Sequence, residues 1–132
     1  MKKPIRIAHN VERITIHIMK YHDELKILMH KYVKFVYKIT KKFPRDKIYG
    51  VTSQIRRAAI SIILNYIEGY ARRRDENCKT YQNFLKISYG SLKESKYLLF
   101  FSFEEKYINK EEYKNGFELT DRIGKMLWSI KV

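Results

Sequence analysis

The stretch Thr52–Arg73, TSQIRRAAISIILNYIEGYARR, decides the fold. Ile55, Ala58, Ala59, Ile60, Ile62, Ile63, Leu64, Tyr66 and Ile67 take up most of the circumference of a helix. The polar positions Gln54, Arg57, Ser61, Asn65, Glu68 and Arg72 recur at helical spacing and form one stripe within about 80°. Arg56 points away from that stripe. A helix apolar almost all round is buried on several sides. One side of a helix in a small bundle normally faces water, so the excess predicts a second buried surface, between subunits. Within the polar seam, Glu68 and Arg72 stand at i,i+4 and predict an ion pair.

The breakers around this segment set the other elements. Pro44 after Phe43 ends the preceding helix. Arg72-Arg73-Arg74-Asp75 is wholly charged and reads as a turn, and Tyr107-Ile108-Asn109 as a third break. Asn109 and Glu112 have the spacing of a capping box. Leu25, Leu28, Tyr32, Phe35, Val36 and Ile39 predict the core face of the first helix. Tyr81, Phe84, Leu85, Ser88, Leu92, Ser95, Leu98 and Leu99 do so for the third. Tyr113, Phe117, Thr120, Ile123, Met126, Leu127 and Ile130 do so for the fourth. Gly90 and Ser91 predict a close helix approach. The fold class is therefore all-α, an antiparallel up-down-up-down four-helix bundle with helices over about 23–42, 47–71, 76–106 and 110–130.

Residues 1–22 fit this plan least. Ile14, Ile16 and Ile18 alternate with Thr15 and His17, a period-two signal for an extended segment. They read as an N-terminal arm, extended or disordered, ahead of a bundle domain over 23–132. The arm is a floppy tail, pairs between subunits, or begins the first helix early. Met19 offers an alternative start of the natural chain.

The 132 residues fit one domain, and 45% apolar residues suffice for one core. One cysteine, Cys78, excludes an intrachain disulfide and suits a cytoplasmic protein. Cys78 beside Lys79 is either a thiol of lowered pKa or a small buried residue. No apolar run approaches the roughly 20 residues of a membrane span, and no hydrophobic region follows the basic start Met1-Lys2-Lys3-Pro4.

Charge is the loudest feature: 28 basic and 14 acidic residues give +14. It is uneven, with +9 in residues 1–50, +4 in 51–74 and +1 in 75–132. Such asymmetry points to a polyanion, nucleic acid before membrane. Lys31, Lys34, Lys38, Lys41 and Arg45 share one helical face, either a solvated surface or a stripe that tracks phosphates. No catalytic constellation is present. His9, His17, His22 and His30 lack metal-ligand spacing, and no phosphate loop or nucleophile set occurs, so no metal and no cofactor are expected. Most of the 11 tyrosines sit at core spacing.

Several segments resemble the "four-helix bundle protein" family, whose first members are encoded by intervening sequences within bacterial 23S ribosomal RNA genes. They are Lys41-Lys42-Phe43-Pro44, Tyr49-Gly50-Val51-Thr52-Ser53-Gln54-Ile55-Arg56-Arg57-Ala58-Ala59, Ser61-Ile62, Asn65, Glu68-Gly69-Tyr70, Arg72-Arg73, Phe84-Leu85, Gly90-Ser91-Leu92 with Glu94, and Ile123-Gly124-Lys125-Met126-Leu127. Together they span roughly residues 21–132. The resemblance implies a four-helix bundle, a ring-like homopentamer and no established enzymatic activity. A related branch supplies the accessory protein of diversity-generating retroelements, a basic pentamer that binds nucleic acid and a reverse transcriptase. The family commonly has a proline and a serine where this chain has Ile63 and Leu64, and isoleucine and alanine where it has Tyr66 and Ile67. Loss of the proline predicts a straighter second helix.

The expectation is a non-enzymatic oligomer that binds RNA through Lys38, Lys41, Lys42, Arg45, Arg56, Arg57, Arg72, Arg73 and Arg74. Arg56 and Arg57 either take part in that binding or hold subunits together through carboxylates such as Glu68 or Glu94. The alternative is an interaction scaffold for a retroelement reverse transcriptase.

Overall fold

The computed structural model describes residues 2–75 and 77–131, with side chains from 10 to 130 apart from Glu76. Four helices follow in order: α1 (Lys2–Thr40), α2 (Ser53–Arg72), α3 (Lys79–Glu104) and α4 (Lys110–Lys131). No strand occurs among the described residues. α1 and α2 are joined by a tight turn at Arg45–Lys47 and a wide irregular turn at Ile48–Thr52. There Gly50 leaves helical geometry, with φ −114° and ψ −117°. The expected start of the third helix, Glu76, lies outside the described residues.

Side-chain pairings fix the topology. His22 meets Tyr66 and Thr40 meets Arg56, so α1 and α2 run antiparallel. Ser61 meets Ser91, and the Ser88 hydroxyl donates to the Ile62 carbonyl, so α2 and α3 do too. Gly116 lies against Leu99 and Gly124 against Leu92, which pairs α3 with α4. The Tyr21 hydroxyl donates to the Met126 carbonyl at 2.8 Å and closes the bundle between α1 and α4. The arrangement is the expected up-down-up-down bundle.

Its centre holds Leu25, Tyr32, Val36, Ile62, Tyr66, Tyr81, Leu85, Leu99, Ile123 and Leu127, all buried. Buried hydroxyls need partners. Tyr32 finds the Ser95 hydroxyl and Tyr66 finds His22 Nδ1. Burial, opposed by the Ser95 hydrogen bond, raises the Tyr32 phenol well above its ordinary range. The capping box forms in both directions. Asn109 N donates to Glu112 Oε1 at 2.9 Å and Glu112 N to Asn109 Oδ1 at 2.8 Å. The polar seam of α2 is satisfied as expected: Asn65 Nδ2 donates to the Ser61 carbonyl, and Arg72 pairs with Glu68 at 2.6 Å. α2 runs unbroken through Ile63, where the family commonly has proline.

Three expectations are corrected. Residues 2–22 are not extended: α1 begins at Lys2 and runs through them, so of the alternatives the segment begins the first helix early. Pro4 falls in the first turn, where its missing N–H costs no hydrogen bond, and neither Pro nor Gly interrupts from Ile5 to Thr40. The alternation of Ile14, Ile16 and Ile18 is too short to outweigh this continuity, and Val11, Ile14, Ile18 and Tyr21 already stand at helical spacing. Gly90 is not a close-approach site, since a Cβ there meets nothing within 4 Å. The close approaches are at Gly69, where a Cβ would lie 2.6 Å from Phe84 Cβ, and Gly116, where it would lie 2.9 Å from Phe35 Cε2. Phe117 is not inward-facing; it is exposed, with the Lys96 ammonium 4.4 Å from its ring centroid.

Candidate nucleic-acid interface

The nine basic residues expected to bind RNA do not form one patch. Lys38, Lys41, Lys42 and Arg45 gather where α1 ends and turns toward α2, and all four are exposed. Arg72, Arg73 and Arg74 lie at the far end of α2. A helix of 20 residues separates the two groups by about 30 Å.

At the first end three lysines of α1 and Lys41, the residue after it, line a groove. Lys31, Lys34, Lys38 and Lys41 surround an open space of about 460 Å³ whose apolar wall is Phe35 and Tyr37. The i,i+3 and i,i+4 spacing that suggests a phosphate-tracking stripe thus becomes a row of ammonium groups about 15 Å long. None of the four joins an ion pair among the described residues, whereas Lys42 does, reaching Glu112 on α4. Burial raises the Glu112 carboxyl, but the hydrogen bonds from Lys42 and the Asn109 N–H outweigh it and hold it below the usual carboxylate range. Lys42 therefore ties α1 to α4 and caps the bundle.

Arg56 is half-buried on α2. Its Nε donates to Thr40 Oγ1 at 2.8 Å and its guanidinium lies 4.6 Å from the Tyr37 ring centroid. It engages α1 of its own chain. Arg57, one residue on and 100° round the helix, is exposed.

At the second end the three arginines differ from one another. Arg72 is held by Glu68 and rests over Phe84, 5.5 Å from the ring centroid. Arg73 is half-buried, stacked 3.9 Å from the Tyr70 centroid, and its Nε is buried without a hydrogen-bond partner. Arg74 is exposed, and among the described residues it joins no ion pair and stacks on no ring. From sequence the run reads as a uniform turn. The aromatic residues that hold two of its members are Tyr70 and, on α3, Phe84, and no local signal marks them.

Beside Arg73 lies a buried histidine. His22 is 3% exposed, lies tilted against Tyr70 with ring centroids 4.5 Å apart and bonds to the Tyr66 hydroxyl. Burial first, then the positive charges of Arg73 and Lys26, lower its pKa below the ordinary imidazole value, with Asp23 opposing. It is a structural, neutral histidine. Cys78 is half-buried ahead of α3, and backbone hydrogen bonding with Tyr81 and then Arg74 lowers its thiol pKa. Among the described residues no three His, Cys, Asp or Glu side chains gather to hold a metal. No helix among them is long and apolar enough to cross a membrane.

The apolar excess predicted for α2 reaches the surface. Leu64 and Ile67 are exposed on it, with Ile60 and Ile63 half-buried beside them.

Residues 24–129 match the family described as 23S rRNA-intervening sequence protein. A solved structure of a protein with unknown function from the S23 ribosomal protein family of Bacteroides thetaiotaomicron has the same fold. It superposes with a TM-score of 0.72 at 24% identity, covering 81% of this chain and 97% of that one. No curated protein matches the sequence.

Proposed function

The chain belongs to the 23S rRNA-intervening sequence protein family, and from that premise we propose that it is a non-enzymatic, cytoplasmic, oligomeric bundle that binds RNA through its Lys/Arg surface. The observation that carries this reading is the groove of Lys31, Lys34 and Lys38 on α1 and Lys41 just past its end. A row of exposed ammonium groups at helical spacing offers contacts to successive phosphates and none to base identity. Binding of this kind falls steeply with salt and is nearly blind to sequence. Arg45 continues the row past Lys41, Arg57 adds an exposed charge on α2, and Arg74 forms a separate contact at the far end. Lys42, Arg56, Arg72 and Arg73 contribute field more than contact, because each already serves a partner within the chain.

Oligomerisation is supported by the exposed Leu64 and Ile67, since an apolar strip on an otherwise charged surface is buried at low cost against a second copy. A homopentamer is the state that the family resemblance favours.

Purification without nuclease, followed by sequencing of whatever nucleic acid co-purifies, tests the binding claim. Recovery of RNA of mixed sequence supports it. Protein free of nucleic acid at low salt contradicts it and turns attention to the scaffold for a reverse transcriptase. The gene's position, inside a ribosomal RNA gene or beside a reverse transcriptase, separates the same two readings independently.

A further inference from the structure

The side of the molecule with least net charge carries a second groove, formed where α3 and α4 cross. It encloses about 430 Å³, within the range of pockets that hold small ligands. Gly124 lines it and contributes no side chain; a Cβ there would lie 3.2 Å from Leu92 Cδ2. One wall is aromatic. Trp128 of α4 is half-exposed and lies against Tyr89 of α3, with ring centroids 5.6 Å apart and planes 46° from parallel. The rim is cationic. Lys93 Nζ stands 5.3 Å from the Tyr89 centroid, and Lys96 leans over Phe117. Lys125 shares the rim with Asp121, which it pairs at 3.1 Å.

These parts differ in kind from the lysine row on α1. There the aromatic face of Tyr37 is already covered by Arg56. Here a half-exposed indole stands beside three ammonium groups and one carboxylate. Nucleobases stack on such aromatic faces whatever their sequence, while flanking lysines hold the phosphates. The carboxylate of Asp121 disfavours a bare phosphate on its side and can accept a hydrogen bond from the amino group of adenine or cytosine.

We propose that the Tyr89–Trp128 groove binds one unpaired nucleotide of a single RNA strand, with its base stacked on Trp128 and its phosphates held by Lys93 and Lys96. The proposal rests on the RNA-binding reading above and adds a site that distinguishes single strands from duplex. Bases within a duplex are stacked on each other and present no free face to the indole.

Trp128 is the only tryptophan of the chain, so its fluorescence reports the groove alone. The test titrates an eight-nucleotide oligoadenylate into the protein, following tryptophan emission and, in parallel, the anisotropy of the same oligonucleotide carrying a dye. The expected result is quenching that saturates together with the anisotropy. Inorganic polyphosphate of equal charge should compete in anisotropy without quenching. Trp128→Ala should lower affinity for the single strand about tenfold and leave affinity for an RNA duplex of the same length unchanged. Trp128→Phe, which preserves packing on Tyr89, should lose less. Lys93→Ala with Lys96→Ala should reduce the salt slope by about 1.4, at roughly 0.7 for each phosphate released from a single strand. Full anisotropy change without quenching, together with an unaltered affinity of both Trp128 variants, overturns the groove and leaves the electrostatic reading standing. Emission that shifts with protein concentration alone overturns it too, by showing the indole covered by a second copy. No anisotropy change at low salt contradicts RNA binding itself, and the groove with it.

Discussion

The two halves of α1 are one helix with two fates. From Tyr21 to Thr40 one face of it is in the core: Leu25 and Val36 are fully buried and Leu28 is 3% exposed, while Ile27 on the opposite face stays 55% exposed. From Asn10 to Lys20 every residue is exposed, although Val11, Ile14, Ile16, Ile18 and Met19 are as apolar as their counterparts. The difference is the presence of neighbours. α1 has 39 residues, whereas α2, α3 and α4 have 20, 26 and 22. Among the described residues, the first half extends beyond the ties at Tyr21 and His22. Helical geometry passes along an uninterrupted chain, but burial requires another element to pack against.

The sharpest way to break that comparison is to truncate one residue from each half. Leu25→Ala should cost about 2–5 kcal/mol, the range for a large aliphatic side chain removed from a packed core. Ile16→Ala should stay within about 0.5 kcal/mol. Chemical denaturation of both variants checks this, and equal losses would show that the first half packs against something, a second copy before all else.

A second pair of substitutions contrasts two glycines in the same way. Gly69→Ala should destabilise by about 1–3 kcal/mol, because its Cβ would strike the Cβ of Phe84, an atom that cannot swing aside. Gly90→Ala, which meets nothing, should stabilise by up to about 1 kcal/mol through helix propensity. A melting curve for each gives the two signs directly.

The junction between the halves should respond to acid. His22 has a folded pKa below its ordinary 6.5, so the neutral form is favoured in the fold. Its stabilisation is complete above pH 6.5 and is lost as pH falls below that value, where the unfolded chain takes up a proton that the folded one refuses. Arg73, Lys26 and Asp23 are the charges that face it. The melting temperature should therefore fall between pH 7 and pH 5 in the native protein and fall less in His22→Gln. A flat profile in the native protein contradicts the assignment of His22 as the buried neutral group.

The smallest effect is expected from removing residues 1–18, which should leave the melting temperature within about 3 °C. A larger drop would mean that the exposed isoleucines are buried between subunits.

The bundle is legible in the sequence because its signals are local and repeated. Spacings of three and four mark the buried faces of α1, α2 and α3, and Asn109 with Glu112 announces the start of α4. The N-terminal half of α1 is not legible in the same way, because five alternating residues imitate a strand within a breaker-free run. The candidate interface is legible in part. The lysine row of α1 follows from spacing on one helix. The separation of the arginines from that row does not, because it depends on the length of α2 lying between them. Nor does the engagement of Arg56, Arg72 and Arg73, whose partners Thr40, Tyr37, Tyr70 and Phe84 become neighbours only through folding. Trp128 and Tyr89 stand far apart in sequence and meet only where α3 crosses α4.

The central claim is that the lysine groove of α1 carries the phosphate contacts, and the salt dependence of RNA affinity tests it most directly. The comparison sets Lys34→Ala, Lys38→Ala and Lys41→Ala combined against Lys79→Ala, Lys86→Ala and Lys114→Ala combined, two changes of equal charge at exposed positions. The account predicts that the first triple variant lowers the slope of log affinity against log salt by about 2, at roughly 0.7 to 0.9 for each phosphate no longer neutralised, while the second leaves it nearly unchanged. Equal losses in the two variants would contradict it, because bulk charge rather than the groove would then explain the binding.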